Sequence, residues 1–238
     1  MKTMKKYLIT CLPLLIMLLS FGSCSKDEEM TDARITYYVQ FEIQGSNFVE
    51  LPVGTNYTDA GCKATWNGED YTSKITVTGL DKIDKNVPGL YDVTYSATNP
   101  EGFTTSVTRT VAVCDPSITD DITGNYVTVN GTKRVREGTE TPYPKFKVNI
   151  EKKAPGLFYV DDMLGGYYAQ KVGYGETTAM KGYIQLHADG TITACSGYVE
   201  NWGDSYTAFT DGKWDSGTGE ITWDVTYAKM HFIVVLNK

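Results

Sequence analysis

Residues 88–113 read PGLYDVTYSATNPEGFTTSVTRTVAV. Two runs rich in Thr, Val and Tyr, Tyr91 to Ala97 and Thr104 to Val113, flank Asn99-Pro100-Glu101-Gly102. Asn and Gly tolerate the positive φ of a tight reversal and Pro holds its own φ fixed, so the runs are expected to fold back on each other as a hairpin. Outward from it, Thr36 to Ile43 and Ile75 to Thr78 repeat the composition, with turn chemistry at Asn67-Gly68 and Pro88-Gly89. Short strands at this spacing predict an all-β sandwich over residues 35–114.

Beyond Cys114 the segment DPSITDD carries Pro and three acids, which predicts a linker over 115–122. From 123 to 238 strand patterns resume: Asn125 to Val129, Lys145 to Glu151, Leu157 to Val160, Tyr183 to His187, Thr191 to Ser196, Tyr206 to Phe209, Gly219 to Tyr227 and Met230 to Leu236. Phe146, Val148 and Ile150 alternate with Lys145, Lys147 and Asn149, the pattern of a sheet wet on one face. Gly residues within Ala188-Asp189-Gly190-Thr191 and Asp215 to Gly219 suit hairpin turns. Such a meander closes most simply as an up-and-down β-barrel, because closure leaves no unpaired edge. Met163-Leu164-Gly165-Gly166 reads as a bend capping that barrel.

At the other end, Lys2, Lys5 and Lys6 precede an uncharged run from Tyr7 to Phe21. That run falls short of the roughly 20 apolar residues a spanning helix needs, so residues 1–23 read as a secretory signal. Small residues stand directly before Cys24 and the acidic run Asp27-Glu28-Glu29 follows, giving a solvated tether over 24–34. Phe21-Gly22-Ser23-Cys24 resembles the lipobox of bacterial lipoproteins, which implies acylation on Cys24. Ser25-Lys26-Asp27-Glu28-Glu29 resembles the export tag of Bacteroides-type surface lipoproteins. Together they imply a protein lipid-anchored to the outer membrane and facing outward, with the anchor as its membrane contact.

Composition narrows the rest. The 238 residues are 12% aromatic and 21% charged with a formal charge of -7, which excludes a disordered chain, a coiled coil and a collagen. Removing Lys2, Lys5 and Lys6 with the signal makes the chain more acidic still, which speaks against nucleic acid, since neutralising phosphates needs surplus Lys and Arg. No nucleophile elbow, P-loop or His-Glu-x-x-His occurs, and two His with five Cys leave little for a metal, so neither an enzyme nor a cofactor is expected. His187 and His231 sit in strand patterns as ordinary packed or surface residues. Asp161 and Asp162, adjacent on a strand, would point to opposite faces and make a poor acid pair.

Several motifs resemble known families. Tyr57-Thr58-Asp59-Ala60-Gly61, Ser73 to Val77, Pro88 to Ala97 and Thr108 to Val113 resemble a bacterial immunoglobulin-like domain, a spacer or presenting module. Cys62 and Cys114 stand where that pattern carries small or β-branched residues. Gly124-Asn125-Tyr126, Val160 to Tyr168, Gly173-Tyr174-Gly175 and Trp202-Gly203-Asp204 resemble the lipocalin-like barrel of Bacteroides-type surface lipoproteins, with Tyr126 where lipocalins carry Trp. The resemblance implies an accessory protein of polysaccharide uptake.

Candidate contacts follow from chemistry. Tyr198, Trp202 and Tyr206 surround Glu200, Asn201 and Asp204, mixing flat apolar faces with hydrogen-bonding groups as a sugar requires. Tyr167, Tyr168 and Tyr174 form a second, Gly-rich aromatic group. Either group could instead plug or line the barrel. Cys62 and Cys114 could pair if their Cα atoms come within about 7 Å. The expected role is glycan binding. Its rivals are docking on an outer-membrane transporter or neighbouring lipoprotein, and carriage of a small apolar ligand inside a hollow barrel.

Overall fold

The computed structural model describes residues 35–238, so the signal sequence, Cys24 and the tether lie outside the described residues. Seven strands build the first half: β1 Gln40–Ile43, β2 Phe48–Pro52, β3 Cys62–Trp66, β4 Glu69–Asp70, β5 Thr76–Thr78, β6 Gly89–Thr98 and β7 Thr104–Cys114. They form two sheets, β1-β3-β4 and β2-β7-β6-β5, antiparallel except where β2 runs parallel to β7. The expected hairpin is present: β6 and β7 pair from Gly89↔Val113 to Thr98↔Thr104, and the Phe103 N–H donates to Asn99 Oδ1 at 2.8 Å across the turn.

Leu51, Cys62, Val93, Tyr95, Val111 and Val113 fill the sandwich. Beside them lies Arg109, only 1% exposed. A buried guanidinium persists only when paired and hydrogen-bonded. Here it forms an ion pair with Asp59, donates to the hydroxyls of Tyr95 (2.9 Å) and Tyr57 (3.3 Å), and donates to the Ser46 and Gly61 carbonyls at 3.1 and 3.2 Å. Burial alone would raise the Asp59 pKa; hydrogen bonds from Tyr95 and Tyr57 together with Arg109 outweigh it and hold Asp59 below the ordinary carboxylate value.

Successive side chains of a strand point to opposite faces. Val111 and Val113 face the sandwich core, so Ala112 and Cys114 face out of it and pack with Ala154, Leu157, Leu90, Tyr183 and Cys195. That cluster is an apolar seam between the two halves. It also corrects the cysteine expectation: Cys62 lies in the sandwich core, Cys114 turns its back on it, and both are free thiols.

Eleven strands follow: β8 Gly124–Thr128, β9 Lys133–Arg136, β10 Thr139–Pro142, β11 Lys147–Ala154, β12 Leu157–Val160, β13 Met180–Leu186, β14 Ile192–Ala194, β15 Tyr198–Val199, β16 Ala208–Trp214, β17 Ile221–Tyr227 and β18 Met230–Asn237. The main path is β10-β9-β18-β8-β11-β12-β13-β14, with β17 also on β18 and β16 on β17. β8 pairs with both β11 and β18, which brings the first long strand against the last. A single bridge, Thr191↔Lys213, and the Trp214 N–H to Gly190 O bond of 2.8 Å join the β14 and β16 ends, so the sheet curls into an incompletely laddered barrel.

The meander is interrupted once. The β9–β10 hairpin adds to β18 at His231–Ile233, and its sequence KRVREGTETP has no apolar alternation to announce it. The barrel interior is packed by Tyr126, Tyr143, Phe158, Trp223 and Phe232, all buried, so it is not the hollow that an apolar-ligand carrier needs. Ile118 and Ile122 join that core, so the segment expected as a linker is part of the packed structure. Met163 and Leu164 are buried within that core, and Trp223 Nε1–H donates to the Met163 carbonyl at 2.8 Å.

Candidate functional site

Two loops meet at one end of the curled sheet. The first is a π-helical turn, Tyr167–Val172, entered at Gly166 and left at Gly173, both left-handed. Its side chain Gln170 bonds both backbone groups of Lys147, donating to O at 2.7 Å and accepting from N–H at 3.0 Å, which pins the turn to β11. The wide turn brings Tyr174 back over Tyr168, where its N–H donates to the Tyr168 carbonyl at 3.1 Å. The second loop leaves β15 and is closed by Val199 N–H to Asp204 O at 2.9 Å. Asn201 N–H donates to Thr177 O at 2.9 Å and ties it to the 3-10 turn Glu176–Thr178 that follows the first.

The result is an aromatic platform. Trp202 stands edge-on to Tyr168 (4.8 Å between centroids) and Tyr174 (6.4 Å) and nearly parallel to Tyr227 at 6.3 Å. Tyr168 and Tyr174 are parallel within 10°. Trp202 is 40% exposed and Tyr174 62%. Asp204 lies beside them, its Oδ1 accepting the Tyr227 hydroxyl at 2.7 Å. Burial, and then that carboxylate, raise the Tyr227 pKa and keep the hydroxyl protonated.

The structure thus unites the two aromatic groups that the sequence offers separately. Trp202, Tyr168, Tyr174 and Asp204 come together, and Glu200 and Asn201 are exposed on the same loop. Tyr198 is 52% exposed, with its hydroxyl next to Gly203. Two residues depart from expectation. Tyr167 is buried beneath the platform against Tyr143 and Phe232, and Tyr206 packs on Phe209, away from the platform's ring contacts. Strand alternation marks Tyr227 as inward-facing but says nothing of which loop folds over it.

A groove of 780 Å³ borders the same π-helical turn and includes Asn149, Tyr159, Asp161, Asp162, Glu176 and Lys181 in its walls. Asp161 and Asp162 both line it, because β12 ends at Val160 and strand alternation stops there. Asp162 Oδ1 accepts the N–H groups of Leu164 (2.9 Å) and Met180 (3.3 Å), fixing the capping bend, while its buried Oδ2 has no hydrogen-bond partner. Burial pushes its pKa up to about 7. His187 bonds Thr193 and His231 pairs with Asp224, each at a strand surface. Among the described residues, no group of three His, Cys, Asp or Glu side chains is arranged to hold a metal ion.

Comparison with known proteins divides the chain at the same place as the fold. The family of the bacterial surface protein, Ig-like domain matches residues 41–113, and a C-terminal-domain family matches residues 115–238. The crystal structure of the lipoprotein BT2262 from Bacteroides thetaiotaomicron is 35% identical over 84% of this chain and 100% of that one, with a TM-score of 0.49. A structure of CBM51-2 in complex with GlcNAc and INT domains from Clostridium perfringens ZmpB is 16% identical over 52% of this chain and 29% of that chain. Its TM-score is 0.27, and at that level neither fold nor ligand transfers. Among curated proteins no match is found.

Proposed function

We infer the function from a family premise: the chain belongs to the family of the Bacteroides thetaiotaomicron lipoprotein BT2262. On that premise, the protein is a surface lipoprotein acylated at Cys24 and held on the outer face of the outer membrane. It binds a glycan without catalysis, as an accessory of polysaccharide uptake. The observation that carries the binding part is the convergence of exposed Trp202 and Tyr174 with Tyr168 and Tyr227 beside Asp204. A sugar offers C–H faces that lie on a ring and hydroxyls that need acceptors, and this platform supplies both. Its residues come from loops tied to each other and to the sheet, so little ordering entropy remains to be lost on binding.

The test is a glycan-array screen of residues 25–238 alongside Trp202→Ala. Binding that falls at least about tenfold in the variant, a loss of about 1.4 kcal/mol, supports the platform. Silence across a broad array with a folded protein overturns the glycan reading and favours a protein partner. For that second reading the specific observation is Tyr38 and Phe103, about half exposed and in edge-to-face contact at 5.7 Å at the sandwich tip.

A further inference from the structure

β9 carries Lys133-Arg134-Val135-Arg136. Alternation puts Arg134 and Arg136 on one face of the strand and Lys133 and Val135 on the other. Arg134 stands opposite Phe232 in the register with β18, and Phe232 is buried in contact with Tyr167, Tyr168 and Tyr227, so the arginine face is the one turned toward the platform. The Arg134 guanidinium lies 5.2 Å from the Tyr167 ring centre and Lys171 Nζ lies 5.6 Å from the same ring. Burial raises the Tyr168 hydroxyl pKa, and both Arg134 and Arg136 are near enough to oppose it.

These cations lack anionic partners. The ion pairs among the described residues are Arg109–Asp59, Lys133–Glu140, Lys153–Glu151 and His231–Asp224, and none involves Arg134, Arg136 or Lys171. Arg134 Nη2 donates to Thr141 Oγ1 at 3.1 Å, while its buried Nε has no partner. A buried donor left unpaired is unfavourable, and a guanidinium is the side chain best matched to a carboxylate or sulfate. In a chain with a formal charge of -7, Arg134, Arg136 and Lys171 form a cationic edge beside Tyr167 and Tyr168, whereas the carboxylates of Glu200 and Asp204 lie on the Trp202 loop. Asp204, the carboxylate on the platform, already accepts the Tyr227 hydroxyl.

We propose that the platform recognises an anionic saccharide, a uronic acid or sulfated sugar, with Trp202, Tyr168 and Tyr174 taking the sugar face and Arg134, Arg136 and Lys171 the anionic group. This rests on the glycan reading above and narrows it to a substrate class. The test titrates residues 25–238 with two matched pairs: oligogalacturonate against its methyl ester, and a sulfated galactan oligosaccharide against its desulfated form. The expected result is at least tenfold tighter binding of the charged member of one pair, weakened by NaCl. That preference should be lost in the Arg136→Gln, Lys171→Gln double variant and in Trp202→Ala. Arg136 is exposed, and near-UV circular dichroism checks that each variant is folded.

Equal, Trp202-dependent binding of charged and neutral members overturns this inference and leaves the glycan reading standing. An anionic preference untouched by either variant overturns it as ionic adsorption elsewhere. No binding of any probe by the folded protein overturns this inference, and the glycan array then decides the broader reading.

Discussion

At the scale of single residues, Asp162 ties stability to pH. Its ordinary carboxylate pKa of 3.8 is raised by burial to about 7 in the fold, so between those values the native state holds a proton that the unfolded chain has released. Stability from this group is therefore greatest at the acidic end and is lost as pH rises toward 7, on the order of 1 kcal/mol per pH unit. Asp162→Asn keeps the Oδ1 acceptor for Leu164 and Met180 but cannot titrate. The difference in urea stability, wild type minus variant, is expected to fall from pH 4.5 to pH 7 and then level off. A constant difference would sink the idea. The Trp202 loop was legible because its composition alone mixes rings and polar groups. Asp162 was not, because the opposite-faces rule holds inside a strand and the strand had already ended at Val160.

At the scale of elements, the platform depends on how closely β13 approaches the turn before β15. A Cβ on Gly182 would lie 2.1 Å from the Ser196 carbonyl oxygen and 2.7 Å from the Gly197 Cα, backbone that cannot swing aside. β15 pairs with β13 through Met180↔Val199 and Lys181↔Tyr198 and leads directly into the Trp202 loop. Gly182→Ala is therefore expected to cost about 1–3 kcal/mol by overpacking and to weaken ligand binding together with stability. Urea unfolding with a parallel titration checks it; full stability in the variant would show that the two strands separate freely. The long strands could be read in the sequence because their apolar residues alternate. The β9–β10 hairpin could not, because Val135 is a lone apolar residue with no alternating partner and its pairing is stabilised by a distant strand, β18.

At the scale of the molecule, residues 38–238 are one compact unit, and the seam of Ala112, Cys114, Ala154 and Leu157 packs the sandwich sheet against the curled sheet. Burial at and near that seam raises the thiol pKa of Cys114 to about 11 and of Cys195 to about 12, and burial also raises that of Cys62. Thiolate is the reacting form, so folded residues 25–238 are expected to react very slowly with a thiol reagent at pH 8. Unfolding in guanidinium should release three thiols, the number of free cysteines in the fold; a single thiol would mean that Cys62 and Cys114 are bonded after all. The sequence by itself determined the all-β class, the order of sandwich and barrel, the β6–β7 hairpin and the aromatic character of the Trp202 loop. These rest on alternation, turn residues and composition, which act over a few neighbouring residues. Only the tertiary structure decided that Trp202 meets Tyr168 and Tyr227, that Arg134 lies over the Tyr167 ring, that Cys114 turns away from Cys62 and that the barrel is filled. Each of those is set by which distant strands pair and in what register, and a shift of one residue would send every side chain to the other face.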